Sequence, residues 1–519
     1  MSESVSEPVV VVGAGPVGLV LACELLQQDV PVRILDAERG HSQHSRATVV
    51  WPRLLELLRR IDVTDRLAAE GQRIQGVQYF SDHAPLGTAW LNRLQETPYP
   101  FAVGIPQSRT EDILEQRLHE LGGKVERGCT LTALDTSGPL PVARFTQPGG
   151  ITEDITASWL VGADGAHSTV RKLLGIPFDG ERLSVCFAIT DAELSGNIAP
   201  DLVSYCYTPQ GSLALGPVGN GVQRVAVSVP PETAGEEPGR EFFQRIVSER
   251  GPGGVELGEL RFSTTFHVNI RTAEYFRSGR CFLAGDAAHI MSPAGAQGMN
   301  TGLQDAFNLG WKLAAVARGR MEESALDSYG VERRAAAHAV TRSTSLQTRW
   351  GFLRHPAQIA LRDGIVRAAD RTGMLQRQLA PKIGQIDATY RPETVKAPRN
   401  GRLVPGDRVP VLLGEGGTTG TWTAVSRDSW TVLLHVGRNR PHHWHRMAAA
   451  VRSEAAGLAE VVEAPSQSHG PLTEAFGPRP VAAVVRPDGH LYATRAALRA
   501  GELAQLLREA RRDPRPQQV

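Results

Sequence analysis

The most restrictive stretch of the 519-residue sequence lies near its start, where Val9-Val10-Val11-Val12 runs straight into Gly13-Ala14-Gly15-Pro16-Val17-Gly18. An unbroken β-branched run without polar alternation is the pattern of a parallel strand covered on both faces. Val17 to Gln28 reads as an apolar helix, and Val32-Arg33-Ile34-Leu35 as a second strand ending in Asp36. The whole is a βαβ unit. In such a unit Gly13 permits the tight turn, Gly15 admits a pyrophosphate against the backbone, and Gly18 lets helix and strand pack closely. The phosphates would sit on the helix N-terminus, with Gly13, Gly15, Pro16 and Gly18 forming the turn around them. Asp36, 18 residues beyond Gly18, stands where an acid accepts hydrogen bonds from an adenosine ribose. A dinucleotide with a free 2′-hydroxyl is therefore expected; this motif leaves NAD and FAD both open.

Composition narrows the class of protein further. Hydrophobic residues make up 41% of the chain, enough for large cores, and the length suggests about three domains. With 56 Lys and Arg against 55 Asp and Glu, no global field draws the chain to nucleic acid or an anionic membrane. Five scattered cysteines without a CxxC pair argue against a disulfide framework or a zinc site, and a reducing cytoplasm is the expected location. The apolar run Pro8 to Cys23 is interrupted by glycines and ended by Glu24, short of the roughly 20 residues of a span, so a soluble chain is expected.

Two downstream motifs choose between the dinucleotides. Arg280-Cys281-Phe282-Leu283-Ala284 reads as another buried strand, followed by Gly285-Asp286-Ala287-Ala288-His289, a loop from Pro293 through Gly295, Ala296, Gln297, Gly298 and Met299 to Asn300, and a helix from about Thr301 to Arg318. A loop entering a helix in this way aims backbone N–H groups at an anion or a polarised carbonyl. Gly285-Asp286 with the Pro293-to-Asn300 loop resembles the second FAD fingerprint of the class A, single-component flavoprotein aromatic hydroxylases. Trp159 to Arg171, with Asp164-Gly165 at its centre, is similar to that family's Asp-Gly motif. The resemblance implies that Asp286 holds a ribityl hydroxyl of FAD and that the Asp164 turn serves both FAD and a passing nicotinamide nucleotide. It also implies Arg46 near the pyrophosphate and Gln107 and Arg109 along the flavin side. Ala296 departs from the usual second glycine of the loop, and its methyl group would be accommodated only at negative φ.

The implied fold class is α/β: a Rossmann-like FAD-binding domain of the glutathione-reductase type, an antiparallel-sheet substrate domain and a thioredoxin-like C-terminal domain. Expected bounds are 1–73, 104–174 and 269–391 for the FAD-binding domain with a helical extension, 74–103 and 175–268 for the substrate domain, 392–406 for a linker and 407–512 for the third domain. Tyr79, Phe80, Phe187, Tyr205 and Tyr207 are candidates for lining a pocket over the flavin or for simple core packing. The segment Val485-Arg486-Pro487-Asp488-Gly489 matches the third domain of the larger hydroxylases, and the absence of cysteine after Cys281 excludes thiol chemistry there. His442-His443-Trp444-His445 lacks a second ligand group at recognisable spacing and reads as an exposed loop; no metal is expected.

Trp51-Pro52-Arg53 and the Ala296-to-Asn300 segment look most like the hydroxylases that tailor bacterial polycyclic aromatic polyketides. The implied activity is an FAD-dependent monooxygenation using NADPH or NADH and O2 through a flavin C4a-hydroperoxide. Its outcome would be hydroxylation, Baeyer–Villiger insertion or ring rearrangement of a phenol or quinone. Other readings of the same residues are a flavin reductase or dehydrogenase and a non-catalytic FAD-binding interaction protein. A homodimer is a possible assembly, and no catalytic acid or base stands out in the sequence.

Overall fold

The computed structural model describes residues 7–41, 47–391, 395, 402–411, 426, 428–437, 444–464, 471–495 and 501–516. Strand β1 (Val9–Val12), helix α1 (Pro16–Leu26) and strand β2 (Val32–Asp36) form the expected βαβ unit, with the helix starting at the proline. Their sheet has six strands, in the order Arg277–Ser278, Cys281–Leu283, Trp159–Gly162, β1, β2 and Val125–Arg127. All neighbours are parallel except the short edge strand Arg277–Ser278. Every residue of β1, Trp159–Gly162 and Cys281–Leu283 is buried, as their unalternating sequences require. Because Val12 stands level with Gly162, and Gly162 with Leu283, these three strands end side by side, and the loops that follow them emerge at one edge. Ligands of open parallel sheets bind at that carboxyl edge.

An eight-stranded sheet covers the edge. Its order is His289–Ile290, Val255–Ala273, Phe178–Gly196, Val222–Val229, Gly211–Gly219, Leu202–Thr208, Gly76–Ser81 and Ala84–Trp90. Pairing is antiparallel throughout except where Leu202–Thr208 runs parallel to Gly76–Ser81, the join between the two sequence segments that supply the sheet. Alternation gives the sheet two chemically different faces. Cys206, Leu213, Val225 and Val227 pack with Phe243, Ile246 and Val247 of the helix Arg240–Arg250, whereas Phe187 and Val268 face the opposite way.

Residues beyond 428 build a four-stranded sheet in the order Ala459–Glu463, Trp430–His435, Val481–Val485, Leu491–Arg495; the first pair is parallel and the others antiparallel. The terminal helix Glu502–Arg512 buries Leu503, Leu506 and Leu507 on one face of this sheet, together with Trp444 and Val451. Within the described residues, no helix is long and apolar enough to cross a membrane, and no group of three or more His, Cys, Asp or Glu side chains is arranged to hold a metal. Of the histidine cluster, His442 and His443 lie outside the described residues, and His445 is exposed on the helix Trp444–Ala455.

Candidate active site

The three loops meet as the strand register requires. Gly13 donates its N–H to Leu35 O at 2.7 Å, and Ala163 donates to Val12 O at 2.8 Å. Gly13 has φ +102° and a Cβ there would overlap the Ala163 carbonyl, while a Cβ on Gly18 would overlap the Gly13 carbonyl; Gly15 has nothing within 4 Å and opens to the cavity. The glycine spacing thus serves two close approaches and one vacancy for a ligand. Helix α1 begins at this vacancy with neither a side-chain cap nor an acid in its first turn, leaving its N–H groups for an anion. Asp36 accepts from Ala14 N at 2.5 Å and from Glu38 N at 2.7 Å, so its carboxylate braces the glycine turn from the end of β2.

The second fingerprint forms the facing wall. Gly285, at φ +61°, lies against Val17 of α1, and Asp286 next to it is exposed to the cavity. The turn is fixed from behind by Asp305 of helix α4 (Gly298–Ala317), which is wholly buried: it accepts from Gly285 N at 2.9 Å and Arg333 Nε at 2.6 Å, and pairs with His289 Nε2 at 2.7 Å. Burial alone would raise its carboxyl, but the His289 and Arg333 charges override this and hold it below the usual carboxylate range. The loop before α4 is pinned by Trp51, whose Nε1 donates to Gly295 O at 3.2 Å and Ala296 O at 3.1 Å. Asn300 completes the clamp by accepting from Trp51 N at 2.8 Å and donating to Val49 O at 2.8 Å. Like α1, α4 starts without a capping side chain or an acid in its first turn, with Gly298 and Met299 on the cavity wall.

Ala296 corrects an expectation. Its φ is +51°, next to Gly295 at +82°, so the methyl group is carried in the left-handed region rather than avoided by negative φ. In that conformation the Gly295 and Ala296 carbonyls both meet Trp51 Nε1, and left-handed backbone costs a residue with a Cβ about 1–2 kcal/mol. Ala296→Gly removes this strain but loosens the unfolded chain, so a net gain of up to about 1 kcal/mol is expected in a chemical denaturation series. An unchanged or lowered midpoint would show that the strain is absent.

The cavity has a volume of about 1010 Å³, at the upper end for a ligand site. Of the residues read from the sequence, Gly15, Pro16, Gln107, Asp286, Pro293, Ala296, Gly298 and Met299 line it; Gly13, Gly18, Asp36, Gly285, Gly295 and Asn300 shape the wall from behind. Gln107 donates to Glu111 at 2.8 Å and accepts from Ala47 N at 3.3 Å. Asp164 caps the helix Thr169–Leu173, accepting from Thr169 N at 2.7 Å and Val170 N at 3.1 Å, while its neighbours Ala163 and Gly165 touch the cavity. Arg46 lies outside the described residues. Arg109 does not reach the flavin side: it is 39% exposed and paired with Glu70 and Asp112, because its place on the helix Gln107–Glu120 turns it outward.

The opposite half of the cavity is apolar and aromatic. Phe187, Ile189, Val203, Tyr205, Tyr207, Leu215 and Phe266 line it; Tyr79 stands behind, stacked on Tyr205 at 5.9 Å, and Phe80 packs on the far face of the sheet. Several polar residues there carried no signal in the sequence. Arg224, buried beside Asp191, and Gln347 and Thr348 of helix α5 (Asp327–Trp350) come from strands and helices whose patterns mark only secondary structure. Gln347 shares this wall with Tyr205 and Tyr207; burial pushes the Tyr205 hydroxyl up to about 12, so it keeps its proton at neutral pH. Arg171, at the end of the Asp-Gly motif read from the sequence, is buried, has its guanidinium carbon 3.7 Å from the Phe178 ring centre and donates to Ala287 O at 2.8 Å, tying the Asp164 loop to the Asp286 turn.

A nucleotide turn, a second uncapped helix N-terminus facing it across one cavity, and an aromatic chamber beyond define a flavoprotein built to act on an apolar organic molecule. Residues 6–344 match the family of FAD binding domains, and the chain belongs to that family. It is 36% identical to the 6-methylpretetramide 4-monooxygenase of Streptomyces rimosus over 72% of this chain and 66% of that protein. It is 33% identical to the 12-dehydrotetracycline 5-monooxygenase/anhydrotetracycline 6-monooxygenase of the same species over 94% and 95%. Among solved structures, the anhydrotetracycline hydroxylase OxyS of S. rimosus superposes with a TM-score of 0.73 at 31% identity, covering 94% of this chain and 95% of that one. CabE, an aromatic hydroxylase from angucycline biosynthesis, gives 0.75 at 29% identity over 98% and 100%. The protein is a flavin-dependent monooxygenase.

Proposed function

We propose that the protein oxygenates a polycyclic aromatic polyketide, a phenol or quinone, using FAD, O2 and NADPH or NADH. The observation that carries the reading is a cavity with two uncapped helix N-termini in one half and aromatic side chains under the large sheet in the other, which supports a dinucleotide in the first and the substrate in the second. The residues present fit FAD: the open space at Gly15 would take the pyrophosphate at α1, the Asp36 carboxylate at the end of β2 would accept from the adenosine ribose, and Asp286, which lines the cavity, would accept from a ribityl hydroxyl. Backbone N–H groups at Gly298 and Met299 would oppose negative charge developing on the reduced ring. When bound and reduced, FAD supplies the activation of dioxygen. This chain's own residues bind, orient and exclude water, which the roof formed by Phe187, Val203, Tyr205 and Phe266 supports. The thioredoxin-like reading of the third unit and the expected domain bounds belong to the same proposal, supported by the parallel pair Trp430–His435 and Ala459–Glu463 followed by a hairpin.

Tyr205, which lines the aromatic half of the cavity and keeps its proton at neutral pH, is the strongest candidate for orienting the substrate, as a neutral donor to a carbonyl or enolate oxygen. Tyr205→Phe is expected to lower kcat/KM by about 10- to 150-fold with FAD affinity unchanged, the worth of roughly one hydrogen bond to a charged oxygen. The function itself is tested with purified, FAD-loaded protein, NADPH and a panel of polycyclic phenols and quinones under 18O2. Incorporation of one labelled atom with little peroxide is expected; NADPH oxidation that never labels any aromatic tried would overturn the reading.

A further inference from the structure

Outside the cavity lining, the segment Arg486-Pro487-Asp488-Gly489 makes the turn between Val481–Val485 and Leu491–Arg495. Gly489 donates to Arg486 O at 2.9 Å with φ +81°, and Arg486 N donates to His490 O at 2.9 Å, the geometry of a type I turn closed by a glycine bulge. Such tips ordinarily sit in solvent. Here Arg486, Asp488 and His490 are all at least 96% buried.

What surrounds the tip is the back of the flavin site. Asp488 accepts from Trp311 Nε1 at 3.2 Å and Asn308 Nδ2 at 3.4 Å, both on α4. Arg486 donates through Nη2 to Asp488 at 2.6 Å and to Glu332 of α5 at 2.8 Å, and Glu332 also receives Lys312 of α4 at 2.8 Å. From the other side Arg53 donates to the Asp488 carbonyl at 2.7 Å and Arg60 to the Pro487 carbonyl. Arg53 belongs to the helix Pro52–Leu58 that begins at Trp51, the residue clamping Gly295 and Ala296. Lys312 and Arg486 stand against Glu332 and Asp488, while Arg53 is paired with Glu56 and Arg60 with Glu24. Burial drives His490 down to about 4 despite Asp488, so it is neutral. Glu332 is held down to about 2, because Arg486 and Lys312 override its burial.

Buried ion clusters add little net stability over packed apolar side chains, but they fix geometry and penalise any misplacement. This cluster joins α4, α5 and the Trp51 helix, the elements that carry and clamp the loop from Gly295 to Met299. We infer that the Arg486–Gly489 turn is a positioning element for the flavin: it locks α4 against the Trp51 helix and so holds Gly295, Ala296, Gly298 and Met299 in register. The inference rests on the FAD reading of the cavity. Arg486 and Asp488 touch neither cofactor nor substrate; they act through Asn308, Trp311 and Arg53.

The test compares full-length holoenzyme variants for FAD dissociation constant, flavin absorption spectrum and melting temperature. Asp488→Asn is expected to weaken FAD at least 10-fold and to shift the flavin bands. Leu472→Ala, buried in the third unit on the helix Pro471–Phe476, should lower the melting temperature while leaving FAD affinity within 2-fold and the spectrum unchanged. Trp311→Phe, which removes the indole N–H together with its five-membered ring but keeps a buried aromatic side chain, is read in the same way should Asp488→Asn not fold, with at least 3-fold weaker FAD and a band shift expected. Wild-type affinity and spectrum in the folded Asp488 or Trp311 variant, or an equal loss of FAD in Leu472→Ala, overturns the inference. Failure of the wild-type protein itself to take up FAD would instead reject the cofactor reading.

Discussion

Asp305→Asn is expected to cost about 3–5 kcal/mol of folding stability, because it leaves the Arg333 guanidinium buried without its acid. The same carboxylate orders the Gly285 amide and His289, so the variant should also release FAD more readily. Urea denaturation followed by intrinsic fluorescence measures the first effect. The pH dependence follows from the depressed carboxyl of Asp305. A group whose folded pKa lies below its unfolded value stabilises the fold above the unfolded value, here 3.8, and loses that contribution as pH falls toward the folded one. Wild-type protein should therefore lose stability below about pH 4 more steeply than Asp305→Asn. A variant within 1 kcal/mol of wild type would mean that Arg333 finds another partner.

Asp286→Ala separates cofactor binding from folding. Asp286 is exposed to the cavity beside a turn that Asp305 already secures, so stability should change little. FAD affinity should fall by about 1–3 kcal/mol, the worth of a hydrogen bond to a charged group, or roughly 5- to 150-fold. Fluorescence titration of apoprotein with FAD reads this directly. Retention of wild-type affinity would remove Asp286 from the ribityl site and leave the second fingerprint without its proposed role.

The phosphate turn was legible because its constraints are local. Gly13, Gly15 and Gly18 are required by contacts within one βαβ unit, and the buried strands around them advertise themselves by lacking polar alternation. The Asp286 turn and the loop to Asn300 were legible for the same reason, each lying between a buried strand and a helix. Ala296 was misjudged because its left-handed conformation accompanies a contact with Trp51, 245 residues away in sequence. Arg109 was misjudged because a helix of charged residues does not say which face meets the flavin, and Glu70 supplied an exposed partner from another element.

The substrate chamber shows the limit more sharply. Phe187, Tyr205 and Tyr207 were candidates along with Tyr79 and Phe80, and only the sheet's two faces sort lining from packing. Gln347 and Arg224 needed α5 and the strand Val222–Val229 to be brought to one wall. The sequence by itself determined the parallel fingerprint strands and the glycine turns at their ends, since short-range sterics and burial on both faces permit few other residues there. Tertiary structure alone decided which polar side chains face the cavity and how the Arg486–Gly489 turn grips α4. Those contacts join residues far apart in the chain, and their energies exist only once water has been excluded between them.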